Sequence, residues 1–114
     1  MINTTLNISF ENEEFMTECS SRDLHLGSFG GYKPGVQYRF AFPNGYGASV
    51  IKIYGSYGYD KDLWEVALVN AETLELIYKY DFEIDVVPSC TDEEVNTLLK
   101  KIQNYPAIKE KIYG

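Results

Sequence analysis

The fold is decided by residues 36–54, which read VQYRFAFPNGYGASVIKIY. Apolar and polar side chains alternate over residues 36–42, so one face of an extended strand there is apolar. Asn44-Gly45 follows, and this dipeptide favours a hairpin turn because both residues tolerate a positive φ. The β-branched and apolar residues at positions 48–54 predict the return strand. This hairpin is the centre of the predicted fold.

Further segments extend the sheet on both sides of the hairpin. Residues 4–10, 63–69 and 74–80 alternate in the same way, and each predicts a strand. Residues 81–87 form an acidic extended segment that Pro88 is expected to end. Residues 15–26 show no clear pattern, and residues 27–35, with four glycines and a proline, predict an irregular loop. Short connections between successive strands favour an antiparallel meander of about five strands.

One amphipathic helix is predicted near the end of the chain. Thr91-Asp92-Glu93-Glu94 has the spacing of a capping box, and Pro106 stops the helix. Four aliphatic residues follow the box at i, i+3, i+4 and i+7: Val95, Leu98, Leu99 and Ile102. The predicted fold is therefore one α+β domain over residues 1–114, an antiparallel meander sheet packed by a C-terminal helix. Residues 36–104 form its core, and residues 1–35 are a variable N-terminal strand and glycine-rich loop.

The net charge limits the classes of partner. Seventeen Asp and Glu residues against ten Lys and Arg residues give a net charge of -7. Because phosphate binding requires a basic stripe, we expect no direct contact with nucleic acid. The acidity permits a basic protein partner or mimicry of nucleic acid, and it also favours plain solubility. No apolar run has the length of a membrane span, so we expect a cytoplasmic protein that does not bind membranes.

No combination of side chains predicts catalysis, a metal site or a cofactor. His25 is the only histidine, so a multi-histidine metal site within one chain is excluded. Cys19 and Cys90 lack metal-ligand spacing and a neighbouring base, so we interpret them as free thiols. The acidic residues at 81, 83 and 85 alternate with apolar ones, which is typical of a solvated strand face. The glycine-rich segments lack the Lys-Ser/Thr ending of a phosphate loop. We therefore expect a binding protein and not an enzyme.

Tyrosine is the unusual feature of the composition, with 10 copies in 114 residues. Tyr, Gly, Ser and Asn together are typical of recognition loops, although tyrosines also cover sheets with their hydroxyls in water. The turn at residues 43–47 and the loop at residues 55–62 should lie at opposite ends of one strand, about 20 Å apart. The turn needs Asn44-Gly45 for its backbone geometry alone, whereas the loop combines aromatic anchors with charge. The predicted partner-binding residues are Tyr57, Tyr59, Asp60 and Asp62.

Several short motifs occur in an order that resembles a family of short bacteriophage-encoded proteins without assigned function. The motifs are FPNGYGASV at residues 42–50, YG at 57–58, LWEVA at 63–67, DV at 85–86 and TDEEV at 91–95. The resemblance covers residues 40–102 and leaves residues 1–35 outside it. It implies a phage or prophage origin and an association with inhibitors of host defence, including anti-CRISPR proteins.

Three functions are compatible with these observations. The first is a phage-encoded binding protein that inhibits a host defence complex or nuclease, through protein–protein contact or acidic mimicry. The second is a phage housekeeping or virion-associated protein that binds only phage proteins. The third is a sequestrant that closes its Gly-Tyr loops over a small nucleotide-like ligand. The oligomeric state stays open.

Overall fold

A computed structural model describes residues 2–77 and 86–107 of the chain. Its strands are β1 (Met16–Ser21), β2 (Leu24–His25), β3 (Tyr32–Lys33), β4 (Val36–Ala41), β5 (Tyr46–Lys52), β6 (Trp64–Asn70) and β7 (Val86–Cys90). Its helices are α1 (Phe10–Glu13), α2 (Gly27–Gly30) and α3 (Asp92–Gln103), with a 3₁₀ turn at Tyr59–Lys61. Five strands form one antiparallel sheet in the order β1-β4-β5-β6-β7, while β2 pairs with β3 separately. The predicted α+β class, a sheet packed by a C-terminal helix, is confirmed.

The core lies between α3 and one face of the five-stranded sheet. The alternating residues of β4 face it, as predicted, and so do Trp64, Val66 and Leu68 of β6. Val95, Leu99 and Ile102 of α3 are completely buried against them, and Leu98 is partly buried. At about 1.5–3 kcal/mol for each buried aliphatic side chain, the helix contributes a large part of the domain's stability.

The capping box at the start of α3 is confirmed. The amide of Glu94 donates to the Thr91 hydroxyl at 3.1 Å, and the amide of Thr91 donates to the Glu94 carboxylate at 3.0 Å. Asp92 also fixes the helix on the sheet, because its carboxylate accepts a 2.6 Å hydrogen bond from the indole of Trp64. The start of α3 is therefore tied to the first residue of β6.

The predicted hairpin is confirmed, but Asn44 does more than shape its turn. Gly45 has a φ of 91°, and the Asn44 side-chain oxygen accepts from the amide of Tyr46. The Asn44 side-chain nitrogen donates to the carbonyl oxygens of Ile102 at 2.7 Å and Tyr105 at 3.1 Å. The prediction that the turn needs Asn44 only for its backbone geometry was therefore wrong. Asn44 satisfies carbonyls that the end of α3 leaves without a helical partner.

The predicted strand at residues 4–10 is wrong. Residues 2–9 run without a ladder partner, and Phe10 begins α1. Side chains bind the backbone amides that a neighbouring strand would have bound: the Tyr38 hydroxyl accepts from Leu6 at 3.1 Å, and the Asn96 side chain accepts from Ser9 at 2.8 Å. The alternation is still meaningful, since Leu6 is buried in the core.

Two further predictions around β6 need correction. Residues 74–77 make only an isolated bridge, between Leu76 and Val69, and residues 78–80 of the expected strand lie outside the described part of the chain. Residues 81–85 of the acidic segment and the expected turn at residues 108–113 lie outside it as well. Pro88 does not end a strand, because β7 continues through it to Cys90. This is tolerated because β7 is an outer strand, where a missing N–H costs no ladder bond.

Residues 15–35, which had no clear pattern or were expected to form a loop, contain regular structure. They supply β1 at the edge of the sheet beside β4, and then β2, α2 and β3. Since almost all of β1 is exposed on both faces, its sequence carries no alternation to indicate a strand.

Candidate partner-binding surface

Residues 22–35 form an arm that projects from the sheet between β1 and β4. Its two short strands, β2 and β3, pair beyond the end of the five-stranded sheet, and α2 forms the tip. The apolar side chains of the arm point into solvent, with Phe29 fully exposed and Tyr32 about half exposed. The other exposed members are Leu24 and Leu26. An exposed apolar set on a small domain marks an interaction site more often than a scattered single residue does.

Polar contacts fix the shape of the arm. The Asp23 carboxylate accepts hydrogen bonds from the Tyr32 hydroxyl and from the Gly35 amide, the latter at 2.9 Å. The Tyr32 bond, and then the Gly35 bond, hold the pKa of Asp23 below its usual value, and the same Tyr32–Asp23 bond raises the pKa of Tyr32. The ring of His25 packs against Tyr32 with centroids 5.0 Å apart. These contacts therefore fix the backbone of the arm, from which the apolar side chains extend into solvent.

The predicted loop, residues 55–62, lies at the base of the arm. Tyr57 is 72% exposed and Asp60 is exposed, so these two predicted residues are accessible to a partner. Tyr59 is only 4% exposed, and its hydroxyl donates to the Pro34 carbonyl oxygen at 2.6 Å. Its ring also packs edge-to-face on Tyr54, 5.9 Å between centroids. Tyr59 therefore holds the loop against the arm, and its side chain is not available for contact.

Asp62, the fourth predicted residue, is occupied within the chain. Its carboxylate accepts hydrogen bonds of 2.7 Å from the Lys52 ammonium and 2.7 Å from the Asn3 amide. Partial burial opposes ionisation, but these two bonds outweigh it and lower the pKa of Asp62. Two of the four predicted residues are thus structural, and two lie on the surface.

Lys52 is a buried cation that the sequence reading did not identify. It is 2% exposed, and its ammonium contacts the Asp62 carboxylate, the Asn3 carbonyl oxygen at 2.7 Å and the Trp64 ring, 4.2 Å from the centroid. The ammonium therefore donates two hydrogen bonds and lies over an aromatic ring, which offsets the cost of burying its charge. A signal was present in the sequence, because Lys52 continues the core-facing register of Ala48 and Val50.

The arm and the loop form one continuous surface. Lys33 of the arm lies with its ammonium 5.5 Å from the centroid of the Tyr54 ring, and the side chain of Tyr59 in the loop is hydrogen-bonded to the backbone of Pro34 in the arm. We call this region the arm-end surface. Its exposed apolar and aromatic residues are Leu24, Leu26, Phe29, Tyr32, Tyr54 and Tyr57.

The side chains that most often take part in catalysis or metal binding form no cluster in the described part of the chain. Within residues 2–77 and 86–107, no three His, Cys, Asp or Glu side chains lie close enough together to hold a metal ion. Burial raises the pKa of the Cys90 thiol to about 11, with a smaller contribution from Glu94, and the thiol contacts the Val87 carbonyl oxygen. Cys19 is exposed on β1. Neither thiol is paired with a base in the described contacts.

Comparison of the chain with protein families, with characterised proteins and with solved structures finds no match. No helix in the described part of the chain has both the length and the apolar character needed to cross a membrane. The arm-end surface is therefore the basis on which a function is inferred.

Proposed function

We propose that this chain is a binding protein that inhibits a host defence complex or nuclease by contacting it through the arm-end surface. The observation that carries the proposal is the fully exposed Phe29 at the tip of the arm. Aromatic side chains supply most of the binding energy in many protein interfaces, because they bury a large area at a small cost in side-chain entropy. Leu24, Leu26 and Tyr32 extend the same apolar surface.

The held backbone of the arm favours binding. Asp23 ties both strands of the arm together, and Tyr59 fixes its base to the neighbouring loop. A surface that is already ordered loses less entropy when a partner binds it. The exposed aromatic residues of the arm are therefore suited to enter a preformed pocket on another protein.

The charges of the arm-end surface favour apolar contact over acidic mimicry of nucleic acid. The arm carries Arg22 and Lys33 against Asp23, and the loop carries Lys61 against Asp60 and Asp62, so these two segments have no net charge, although the whole chain has a net charge of -7. A mimic of nucleic acid would place its acidic residues at the contact. The partner class comes from the resemblance to phage proteins, which is associated with inhibition of host defence.

A phage infection assay tests this proposal. The chain is expressed in hosts that carry single defence systems, a CRISPR nuclease or a restriction endonuclease, and plaques of a sensitive phage are counted. We expect the chain to restore plaques on one of these hosts. Phe29→Ala should lose at least about thirtyfold of this activity, since an aromatic anchor contributes about 2 kcal/mol or more.

The matched control is Phe10→Ala, because Phe10 is also 90% exposed but lies on α1, away from the arm. This variant should keep full activity. Inhibition of the purified nuclease should weaken little between low and high salt, whereas a steep loss with salt would indicate acidic mimicry. Failure to restore plaques on any defended host would contradict the proposed function, and full activity of Phe29→Ala would contradict the proposed surface.

A further inference from the structure

The outer edge of β1 carries backbone groups that no neighbouring strand binds in the described part of the chain. β1 is the first strand of the five-stranded sheet, and its ladder partner is β4. The Arg22 amide donates to the Gly35 carbonyl oxygen at 2.8 Å. Because bonding alternates along an antiparallel pair, Ser20 also directs its backbone groups toward β4. The amides and carbonyls of Cys19 and Ser21 therefore point away from the sheet.

This edge lacks most of the features that protect a free strand from pairing. β1 contains neither proline nor lysine, and almost all of its side chains are exposed. Its register is irregular only between Met16 and Glu18. Among the described contacts of the outer edge, the Arg22 guanidinium donates to the Ser21 carbonyl oxygen at 3.2 Å, which leaves that oxygen a second acceptor position. An open edge of this kind is a template for another strand.

The side chains of the edge are complementary to a reversed copy of themselves. Glu18, Ser20 and Arg22 share the open face of the sheet, so the row is negative, neutral and positive in turn. Glu18 remains 43% exposed beside Arg39, its partner within the sheet. An antiparallel copy of β1 always places the positive charge against the negative one. A strand of another protein does so only if its sequence happens to supply the same pattern.

Ser20, at the centre of the row, has an unsatisfied hydroxyl. Its oxygen is buried and has no hydrogen-bond partner in the described part of the chain. A buried hydroxyl without a partner lowers stability. Antiparallel pairing centred on Ser20 places the Ser20 side chains of two copies opposite each other, in the close type of strand pair, where each hydroxyl is a partner for the other.

We propose that two copies of the chain pair through the outer edges of β1, antiparallel and about a two-fold axis at Ser20. Cys19 of each copy exchanges backbone hydrogen bonds with Ser21 of the other, and Glu18 of each lies opposite Arg22 of the other. The axis is perpendicular to the sheet, so the two sheets become one, with both α3 helices on the same face. Because the contact is small, the dissociation constant should lie between about 10 µM and about 1 mM.

This dimer does not depend on the proposed function. The plaque count tests the function, whereas the dimer is tested by the molar mass of the pure chain, measured by analytical ultracentrifugation from about 1 µM to about 2 mM. Either proposal can therefore fail without the other.

Charge reversal tests the pairing of Glu18 with Arg22. Glu18→Arg and Arg22→Glu each place like charges opposite each other twice in the dimer, so each should raise the dissociation constant at least about fivefold. An equimolar mixture of the two variants has opposite charges at both positions and should associate more strongly than either variant alone. The matched control is Glu72→Arg, which makes the same change of net charge on an exposed turn and should leave the dissociation constant nearly unchanged.

Disulfide trapping tests the register. In a chain that carries Cys19→Ser, the further substitution Ser20→Cys places two thiols opposite each other, with Cα atoms about 4.5 Å apart, within the range of a disulfide. Mild oxidation at a concentration that favours the dimer should then give a covalent dimer. The matched control is Ser21→Cys in the same background, which lies opposite a serine and should give much less.

Four outcomes would overturn the proposal. One is a chain that stays monomeric up to about 2 mM. The second is a dimer that neither charge reversal weakens, and the third is a mixture that associates no better than its components. The fourth is equal cross-linking of the Ser20→Cys and Ser21→Cys chains, which would show that the copies do not pair in this register.

Discussion

The hydroxyl of Tyr59 donates a 2.6 Å hydrogen bond to the carbonyl oxygen of Pro34, across 25 residues of sequence. This bond joins the predicted binding loop, residues 55–62, to the arm at residues 22–35, which the sequence did not predict. It also divides the tyrosines of the loop into two kinds, since Tyr59 is buried and Tyr57 is exposed.

Substitutions of these two tyrosines should therefore differ in their effect on stability. Tyr59→Phe removes the hydrogen bond to Pro34 and should destabilise the fold by about 1 kcal/mol, or a few degrees in melting temperature. Tyr57→Ala should change stability by less than about 0.5 kcal/mol, because its side chain is mostly in water. Thermal unfolding followed by circular dichroism measures both. Equal losses of stability would show that Tyr57 also belongs to the core.

The ion pair between the buried Lys52 and the partly exposed Asp62 predicts a specific acid sensitivity. The pKa of Asp62 is lowered in the folded chain, so its contribution to stability is complete above the unfolded pKa, near 4. That contribution is lost as the pH falls through the folded pKa. Urea unfolding of Asp62→Asn should therefore show a smaller stability at pH 7 and a shallower decline below pH 4 to 5 than the native chain shows.

Asp60→Asn is the matched control, because Asp60 lies in the 3₁₀ turn that Asp62 directly follows, and it is exposed. This variant should leave nearly unchanged both the stability at pH 7 and the decline in stability at acid pH. Asp23, whose pKa is also lowered, keeps some acid dependence in the Asp62→Asn chain. If stability declines at acid pH in the same way in Asp62→Asn and in the native chain, the assigned role of the ion pair is contradicted.

Asn44 should be more important for stability than a turn residue usually is. Asn44→Asp keeps the oxygen that accepts from Tyr46 but loses the donor to Ile102 and Tyr105, and it places a negative charge at the carboxyl end of α3. We expect a loss of about 1–3 kcal/mol in urea unfolding. Asn44→Gly keeps the turn without the charge and should lose less. If both variants are as stable as the native chain, the link between hairpin and helix has no energetic role.

The two thiols should differ sharply in reactivity. Cys19 is exposed, whereas Cys90 is buried and its pKa is raised to about 11. Because the thiolate is the reactive form, a water-soluble disulfide reagent at pH 8 should modify one thiol per folded chain and two in denaturant. Peptide mass mapping should place the first modification on Cys19. Rapid reaction at Cys90 in the folded chain would contradict its burial.

The parts of the fold that the sequence predicted correctly depend on local rules. The alternation over residues 36–42 and the capping box at residues 91–94 each predict an element from a few neighbouring residues. Both predictions are confirmed. The segment at residues 4–10 alternates equally well, yet its amides bind side chains from Tyr38 and Asn96, far along the chain. Alternation shows that one face is buried, but it does not identify the partner of the backbone.

The candidate surface was only partly predictable for the same reason. Tyr57 and Asp60 are exposed as the loop composition indicated, but the burial of Tyr59 depends on Pro34, and the pairing of Asp62 depends on Lys52. The arm gave no periodic signal, because its strands contain two residues each. The available indication of an interaction surface in the arm was the number of large apolar residues between its glycines.

The most direct test of the central claim, that the arm makes the functional contact, is the plaque count with Phe29→Ala beside Phe10→Ala on a defended host. Both variants remove a phenylalanine ring that is almost completely in water, so both should fold like the native chain. We predict that Phe29→Ala loses at least about thirtyfold of the protection and that Phe10→Ala loses none. Equal protection by the two variants would contradict the account.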